Sequence, residues 1–135
     1  MQKWERRELE SLSLMDASNP RSILIVDDNS NLREALVAVL DSAGYEVFQA
    51  SDGNAAIAEM RQRQVALLIT DLVMPEKEGI ETMRQFIQEF PRLPMIAISG
   101  MAEYLPVAKA LGAAVVLEKP IAYTDLLQAV RNLIG

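Results

Sequence analysis

Five short apolar runs alternate with longer stretches in which apolar residues recur every three to four positions. The runs lie at about 22–26 (Ile23, Leu24, Ile25, Val26), 45–50, 65–70 (with Leu67, Leu68, Ile69), 94–98 and 115–118 (Val115, Val116, Leu117). Apolar runs this short, separated by helical patterns, read as strands buried on both faces of a parallel sheet. Between them, the spacing predicts a helix over about 30–43 with Leu32, Leu36, Val39, Leu40 and Ala43 on its inner face and Gly44 as its stop. A second helix extends to about 63, capped from among Ser51, Asp52 and Asn54, with Ile57 and Met60 inward. A third covers about 78–89 through Ile80, Met83, Phe86 and Ile87 and ends before Pro91. A short helix at about 103–111 accepts Pro106 only in its first turn and closes at Gly112. The last, about 123–134, buries Leu126, Leu127, Val130 and Leu133 behind a Thr124 cap.

Regular alternation of strand and helix with right-handed crossovers implies an α/β, doubly wound parallel sheet covered by helices on both faces. The alternation occupies 21–135 and forms one domain; the pattern does not set the strand order. Residues 1–20 form an extension. In it, Met1, Trp4, Leu9, Leu12 and Met15 share a stripe at 100° per residue, so a helix docking on the domain or on a second copy is expected, on equal terms with an unstructured tail.

Composition narrows the chemistry. Cysteine and histidine are both absent, which removes disulfides, thiolate or imidazole metal sites and histidine acid–base catalysis. No apolar stretch is long enough to span a bilayer and the N-terminus is charged, so a cytoplasmic protein is expected. The net charge of −6, with no basic run to offset it, argues against direct nucleic-acid binding.

What chemistry remains sits at the ends of the apolar runs: Asp27 and Asp28 after the first, Asp71 after the third, Ser99 after the fourth, and Lys119-Pro120 after the fifth. Ligands of such sheets bind beyond the carboxyl ends of the strands, so these distant residues are expected at one rim. Two carboxylates ~4 Å apart repel by about 4 kcal/mol at an effective dielectric of 20, so a cation must share the space. Oxygen donors without His or Cys suit a hard ion, Mg²⁺ best. An aspartate between a divalent ion and the Lys119 ammonium is a suitable nucleophile towards phosphorus, because phosphoryl transfer needs alignment and charge neutralisation more than proton transfer. The Ser99 hydroxyl, beside Gly100, can donate to a phosphoryl oxygen. A cis Lys119–Pro120 bond would aim the ammonium inward.

The blocks Ile23-Leu24-Ile25-Val26-Asp27-Asp28-Asn29, Asp71-Leu72-Val73-Met74-Pro75 with Gly79, Ser99-Gly100, Ala110-Leu111-Gly112-Ala113 and Lys119-Pro120 together resemble the receiver domain of two-component response regulators. The resemblance covers about 22–135. It implies a CheY-like, flavodoxin-like sheet of order 2-1-3-4-5 and a phosphoryl group passed from a histidine kinase or phosphotransfer protein to Asp71. It further implies that Asp28 and Asp71 bind Mg²⁺ directly, Asp27 acts mostly through water, the Val73 carbonyl is a further ligand, and Ser99 and Lys119 hold the phosphoryl oxygens. The product of the switch would be an altered surface for a protein effector, with a homodimer among the outcomes.

The chain departs from the family pattern at Val116, three positions before the lysine, where the family usually has Tyr or Phe; Ile121 replaces the phenylalanine that commonly follows Lys-Pro. Val116 has no ring to swing, which leaves open a receiver that docks constitutively. Val73 and Met101, two residues beyond Asp71 and Ser99, cannot orient an attacking water, so slow phosphoryl loss is expected. Two other classes fit less well. An aspartyl phosphohydrolase needs a second carboxylate two residues past its nucleophile and a lid, but Val73 stands there. A flavodoxin-like cofactor binder needs a first loop that welcomes phosphate, and Asp27-Asp28 repels one.

Overall fold

The computed structural model of the chain describes residues 21–72 and 76–135. The expected extension at 1–20, and Val73, Met74 and Pro75, lie outside the described residues. The elements alternate as anticipated: β1 (Ser22–Val26), α1 (Ser30–Ser42), β2 (Glu46–Ala50), α2 (Gly53–Gln62), β3 (Leu67–Asp71), α3 (Glu76–Glu89), β4 (Met95–Ser99), a 3₁₀ turn (Ala102–Tyr104) leading into α4 (Leu105–Leu111), β5 (Val115–Glu118) and α5 (Tyr123–Ile134). All four strand pairings are parallel and the order is β2-β1-β3-β4-β5, the doubly wound CheY-like arrangement.

Alternation along each strand divides the core. Leu24, Val26, Leu68 and Ala97 face one side, where Ile57 and Met60 of α2, Met83 and Phe86 of α3 and Ala108 of α4 cover them. Ile23, Ile25, Leu67, Ile69, Ile96 and Ile98 face the other, under Leu36 and Leu40 of α1 and Leu126, Ala129 and Val130 of α5. The central strands β1, β3 and β4, covered on both faces, are apolar along nearly all their length, so their chemistry is concentrated where each runs out; the edge strand β2 carries the exposed Glu46 and Gln49.

Several local expectations shift. Val37, not Val39, packs against the α1 face of the core, because the inner stripe runs Leu36, Val37, Leu40. β3 begins at Leu67 and reaches Asp71, so the acceptor candidate is the strand's last residue and not a loop residue beyond it. Among the three candidate caps of α2, Asp52 is the one used, its carboxylate accepting from the Ala55 N–H at 2.8 Å. Thr124 does not cap α5; Ala122 is the N-cap, with no side-chain hydrogen bond, and Thr124 lies inside the first turn. Pro106 does sit at the start of α4, where a missing N–H costs nothing, and Gly112 ends it at φ 130°, a backbone conformation that glycine alone adopts without strain.

Phe86 has no exposure and fills the α3 side of the core. Phe86→Ala is expected to lower unfolding free energy by about 3–5 kcal/mol in urea titration. A loss under about 1 kcal/mol would show that α3 is not packed as described.

Candidate functional site

Register does the assembling. Val26 pairs with Thr70 and Asp71 with Ile98, while Ser99 pairs with Glu118, so Asp27, Asp71, Ser99 and Lys119 leave the sheet at one level. Two backbone bonds extend the ladders past the strands, from the Leu72 N–H to the Ile98 carbonyl at 2.7 Å and from the Lys119 N–H to the Ser99 carbonyl at 2.9 Å. The Lys119–Pro120 bond is cis.

The acidic pair is not a helix cap. Asn29 is the N-cap of α1, its side-chain oxygen accepting from the Leu32 N–H at 3.1 Å, which leaves the aspartates for other work. Asp27 is buried, and its Oδ1 accepts from the Asn29 N–H at 2.9 Å. Its Oδ2 is buried without a hydrogen-bond partner. Asp28 is exposed, and the Asp71 side chain keeps 8% of its surface. Each of the three carboxylates offers one oxygen such that all three lie within 4.8 Å of one another. The only cation the structure brings to them directly, among the described residues, is Lys119, whose Nζ donates to Asp71 Oδ2 at 3.1 Å and stands 3.9 Å from Asp27 Oδ2.

An unpartnered buried carboxylate oxygen is costly, and three carboxylates against one ammonium leave the cluster short of positive charge. A divalent cation fits that deficit, and the all-oxygen donor set fits a hard one. The carboxylates line a cleft of about 350 Å³ that continues past Ser51, Asp52, Gly53 and Asn54 to Thr82 and Gln85 of α3.

Ser99 ends β4 at the same rim. It is fully buried, and its hydroxyl is already engaged: Oγ accepts from the Met101 N–H at 3.0 Å and donates to the Met101 carbonyl at 3.2 Å. Val73, the remaining ligand candidate, is outside the described residues. Sequence reasoning passed over Arg33, whose guanidinium donates to the Asp27 main-chain carbonyl at 2.5 Å. In the sequence it is one more charge on the polar face of α1; only the turn between β1 and α1 brings it beneath the acidic pair. Thr82 and Gln85 of the cleft wall carried no signal for the same reason.

A family model described as the response regulator receiver domain matches residues 23–131. The chain belongs to that family. It is 34% identical over 116 residues to the response regulator receiver protein CpdR of Brucella abortus (strain 2308), covering 84% of this chain and 97% of CpdR. Against the transcriptional regulatory protein ResD of Bacillus subtilis (strain 168) it is 36% identical over 89 residues, 66% of this chain but only 37% of ResD. Among solved structures, the receiver domain of NtrX from Brucella abortus superposes with a TM-score of 0.77 at 27% identity, covering 83% of this chain and 97% of that one. The Vibrio cholerae chemotaxis protein CheY4 gives 0.74 at 28%, with the same shares. This is therefore a receiver domain of two-component signalling, a signalling module and not a classical enzyme. Receivers interact with histidine kinases or phosphotransfer proteins, and they typically depend on Mg²⁺. Among the described residues, no helix is long and apolar enough to cross a membrane.

Electrostatics in the receiver's acidic site are governed by burial. Desolvation lifts the Asp27 carboxyl above its ordinary value near 3.8, and the Asn29 N–H and Lys119 only partly oppose it. Asp71 is raised as well, by burial first and then by the neighbouring Asp27 charge, against the Lys119 hydrogen bond. A raised native value means that the folded state binds protons more readily than the unfolded one. The site's contribution to stability therefore worsens as pH rises from near 3.8 through the raised values, and acidification relieves it.

In the metal-free receiver, removing one of these charges should therefore stabilise the fold. Asp27→Asn is expected to melt higher than wild type in EDTA at neutral pH, on the order of 5 °C, with the gap closing on acidification. An equal or lower melting point at neutral pH would show that Lys119 already balances the cluster.

Proposed function

We propose that the chain is a Mg²⁺-dependent phosphoacceptor, taking a phosphoryl group from a histidine kinase or phosphotransfer protein onto Asp71 and switching a protein-binding surface. The observation that carries this reading is the placement of Asp71. One of its oxygens accepts from Lys119 at 3.1 Å while the carboxylate sits within 4.8 Å of the Asp27 and Asp28 oxygens. The nucleophile is thus flanked by a fixed ammonium on one side and a cation-seeking pair on the other.

In the transfer, an Asp71 carboxylate oxygen attacks phosphorus, the new P–O bond forms as the P–N bond to the donor imidazole breaks, and the imidazole leaves with its nitrogen electron pair. Asp28 and Asp71, with the Val73 carbonyl, would hold Mg²⁺ directly and Asp27 mostly through water; the ion supplies charge neutralisation for the phosphoryl oxygens. Lys119 is placed to hold one phosphoryl oxygen by a charge-assisted hydrogen bond. No histidine or cysteine exists in the chain to compete with Asp71 for the role of nucleophile.

The Ser99 hydroxyl links the site to the surface. It holds Met101, and the Met101 carbonyl in turn accepts from the Tyr104 N–H at 3.0 Å, closing the 3₁₀ turn ahead of α4. A phosphoryl oxygen on Asp71 offers the hydroxyl proton a charged acceptor in place of the neutral Met101 carbonyl, a stronger bond. Turning to it releases the Met101 carbonyl from Ser99 and loosens the turn, which shifts the population of surfaces offered by the turn, α4 and β5. A protein effector or a second copy of the chain reads that surface.

A second reading is favoured by Val116. It packs against the same core face as Tyr104 and offers no ring to relocate, so a receiver that docks constitutively, with phosphorylation of little consequence, fits this residue. Acetyl phosphate with Mg²⁺ is expected to add one phosphoryl group by intact mass to wild type and none to Asp71→Asn. An adduct that persists in the variant would place the acceptor elsewhere. Amide shifts at Met101–Leu105 on beryllofluoride addition would favour the switching receiver, and unchanged shifts in a protein that still accepts phosphoryl would favour constitutive docking.

Lifetime gives an independent check. Met101 is 42% exposed and apolar, so it cannot orient a hydrolytic water by hydrogen bonding. The phosphoryl group is expected to outlast a minutes-long desalting step, and Met101→Gln to shorten its life several-fold. Loss within seconds in wild type would refute this account of Met101.

A further inference from the structure

Asp27 is held at three points, by β2, by the turn ahead of α1 and by α1 itself. Its N–H donates to the Ala50 carbonyl of β2 at 3.2 Å, its Oδ1 accepts from the Asn29 N–H at 2.9 Å, and its main-chain carbonyl accepts from Arg33 Nη1 at 2.5 Å. That carbonyl belongs to the peptide joining Asp27 to Asp28. Its direction fixes the plane from which the Asp28 side chain departs. Arg33 is itself fixed: its Nε donates to Gln49 Oε1 at 3.0 Å, and Gln49 stands on β2 opposite Ile25. The fork of one guanidinium thus bridges α1, the acidic turn and the edge strand.

We propose that Arg33 is a positioning residue of the cation site, clamping the Asp27–Asp28 peptide so that both carboxylates are presented to Mg²⁺ together. The inference rests on the reading of the site as a Mg²⁺ site. Asp28 is exposed, and its side chain makes no hydrogen bond among the described residues. An exposed carboxylate on a mobile peptide must be ordered when the ion arrives, at a cost in affinity. A clamped peptide meets that cost in advance. Arg33 also adds a positive charge near Asp27, bonded to its main-chain carbonyl and not to a carboxylate oxygen, so both Asp27 side-chain oxygens are left to their own partners. Lysine would reproduce that charge but not the fork that reaches a carbonyl and an amide at once.

The test compares Mg²⁺ binding with stability. Titration calorimetry of the full chain is run on wild type, Arg33→Met and Gln49→Leu, with melting of each in EDTA. Hydrogen bonds to groups that ligate a metal typically govern affinity by ten-fold or more. Arg33→Met is expected to weaken Mg²⁺ binding about ten-fold while melting in EDTA within a few degrees of wild type. Gln49→Leu, which frees the guanidinium but leaves its charge, is expected to weaken it by a smaller factor of about three. Variants that bind Mg²⁺ as wild type does overturn the role of Arg33, and so does a loss of binding in Gln49→Leu that is matched by loss of its folded baseline. If Arg33→Met fails to fold, Gln49→Leu decides alone, because Gln49 is an exposed residue of an edge strand. A wild type that binds no Mg²⁺ overturns the cation site itself and the clamp with it; a wild type that binds, with indifferent variants, overturns the clamp only.

Discussion

Three carboxylates share one ammonium, and that imbalance explains more of this molecule than any other interaction. Lys119 reaches hydrogen-bond distance of Asp71 but stands 3.9 Å from Asp27, whose second oxygen is buried with no partner. A protein optimised only for stability would not keep such a group, since burial of an unpartnered carboxylate oxygen is among the more expensive things a fold can do. The parallel register keeps it there regardless. Once Val26 is opposite Thr70 and Asp71 opposite Ile98, the residues that extend β1 and end β3 have no other place to go. The electrostatic cost of the site is thus sustained by the apolar strands beneath it, and a bound cation would relieve it.

That division of labour accounts for how much was legible in advance. The central strands were readable because both faces are covered: a short apolar run has few alternatives, and the residue at its end is the first that can be charged. Asp27, Asp71, Ser99 and Lys119 were found through that rule, and the family resemblance supplied the strand order that alternation alone leaves open. The misplacements have a common physical origin. Val37 replaced Val39, and Ala122 replaced Thr124 as the cap of α5, because helix faces and ends are settled by tertiary packing that overrides local preference by a residue or two.

Less legible was everything that depends on what a side chain does after it arrives. Ser99 was placed correctly at the end of β4, yet the hydroxyl is bonded to Met101 on both its donor and acceptor sides. A serine two residues before a backbone N–H commonly folds onto it, and nothing in the letters says which partner wins. Arg33 is the opposite case. Its usefulness comes from a turn that brings the first helical turn under the preceding strand's end, so the sequence distance of six residues conceals a contact of hydrogen-bond length.

Under the proposed function, Ser99 and Lys119 would play different parts at the site. Both are anchored to the same edge of the sheet, with the Lys119 N–H bonded to the Ser99 carbonyl, so their backbones move little relative to each other. Lys119 already points at Asp71, whereas the Ser99 hydroxyl is turned to the loop at Met101. A charge added to Asp71 would therefore meet a fixed partner and a convertible one. The fixed partner would supply affinity without changing shape; the convertible one would exchange a neutral acceptor for a charged one and loosen its hold on the turn that leads into α4. Val116 bears on the second half of that exchange only. With no aromatic ring to move beneath the loop, a switching receiver would have to carry any change to the surface through the loop itself, by way of Met101 and Tyr104.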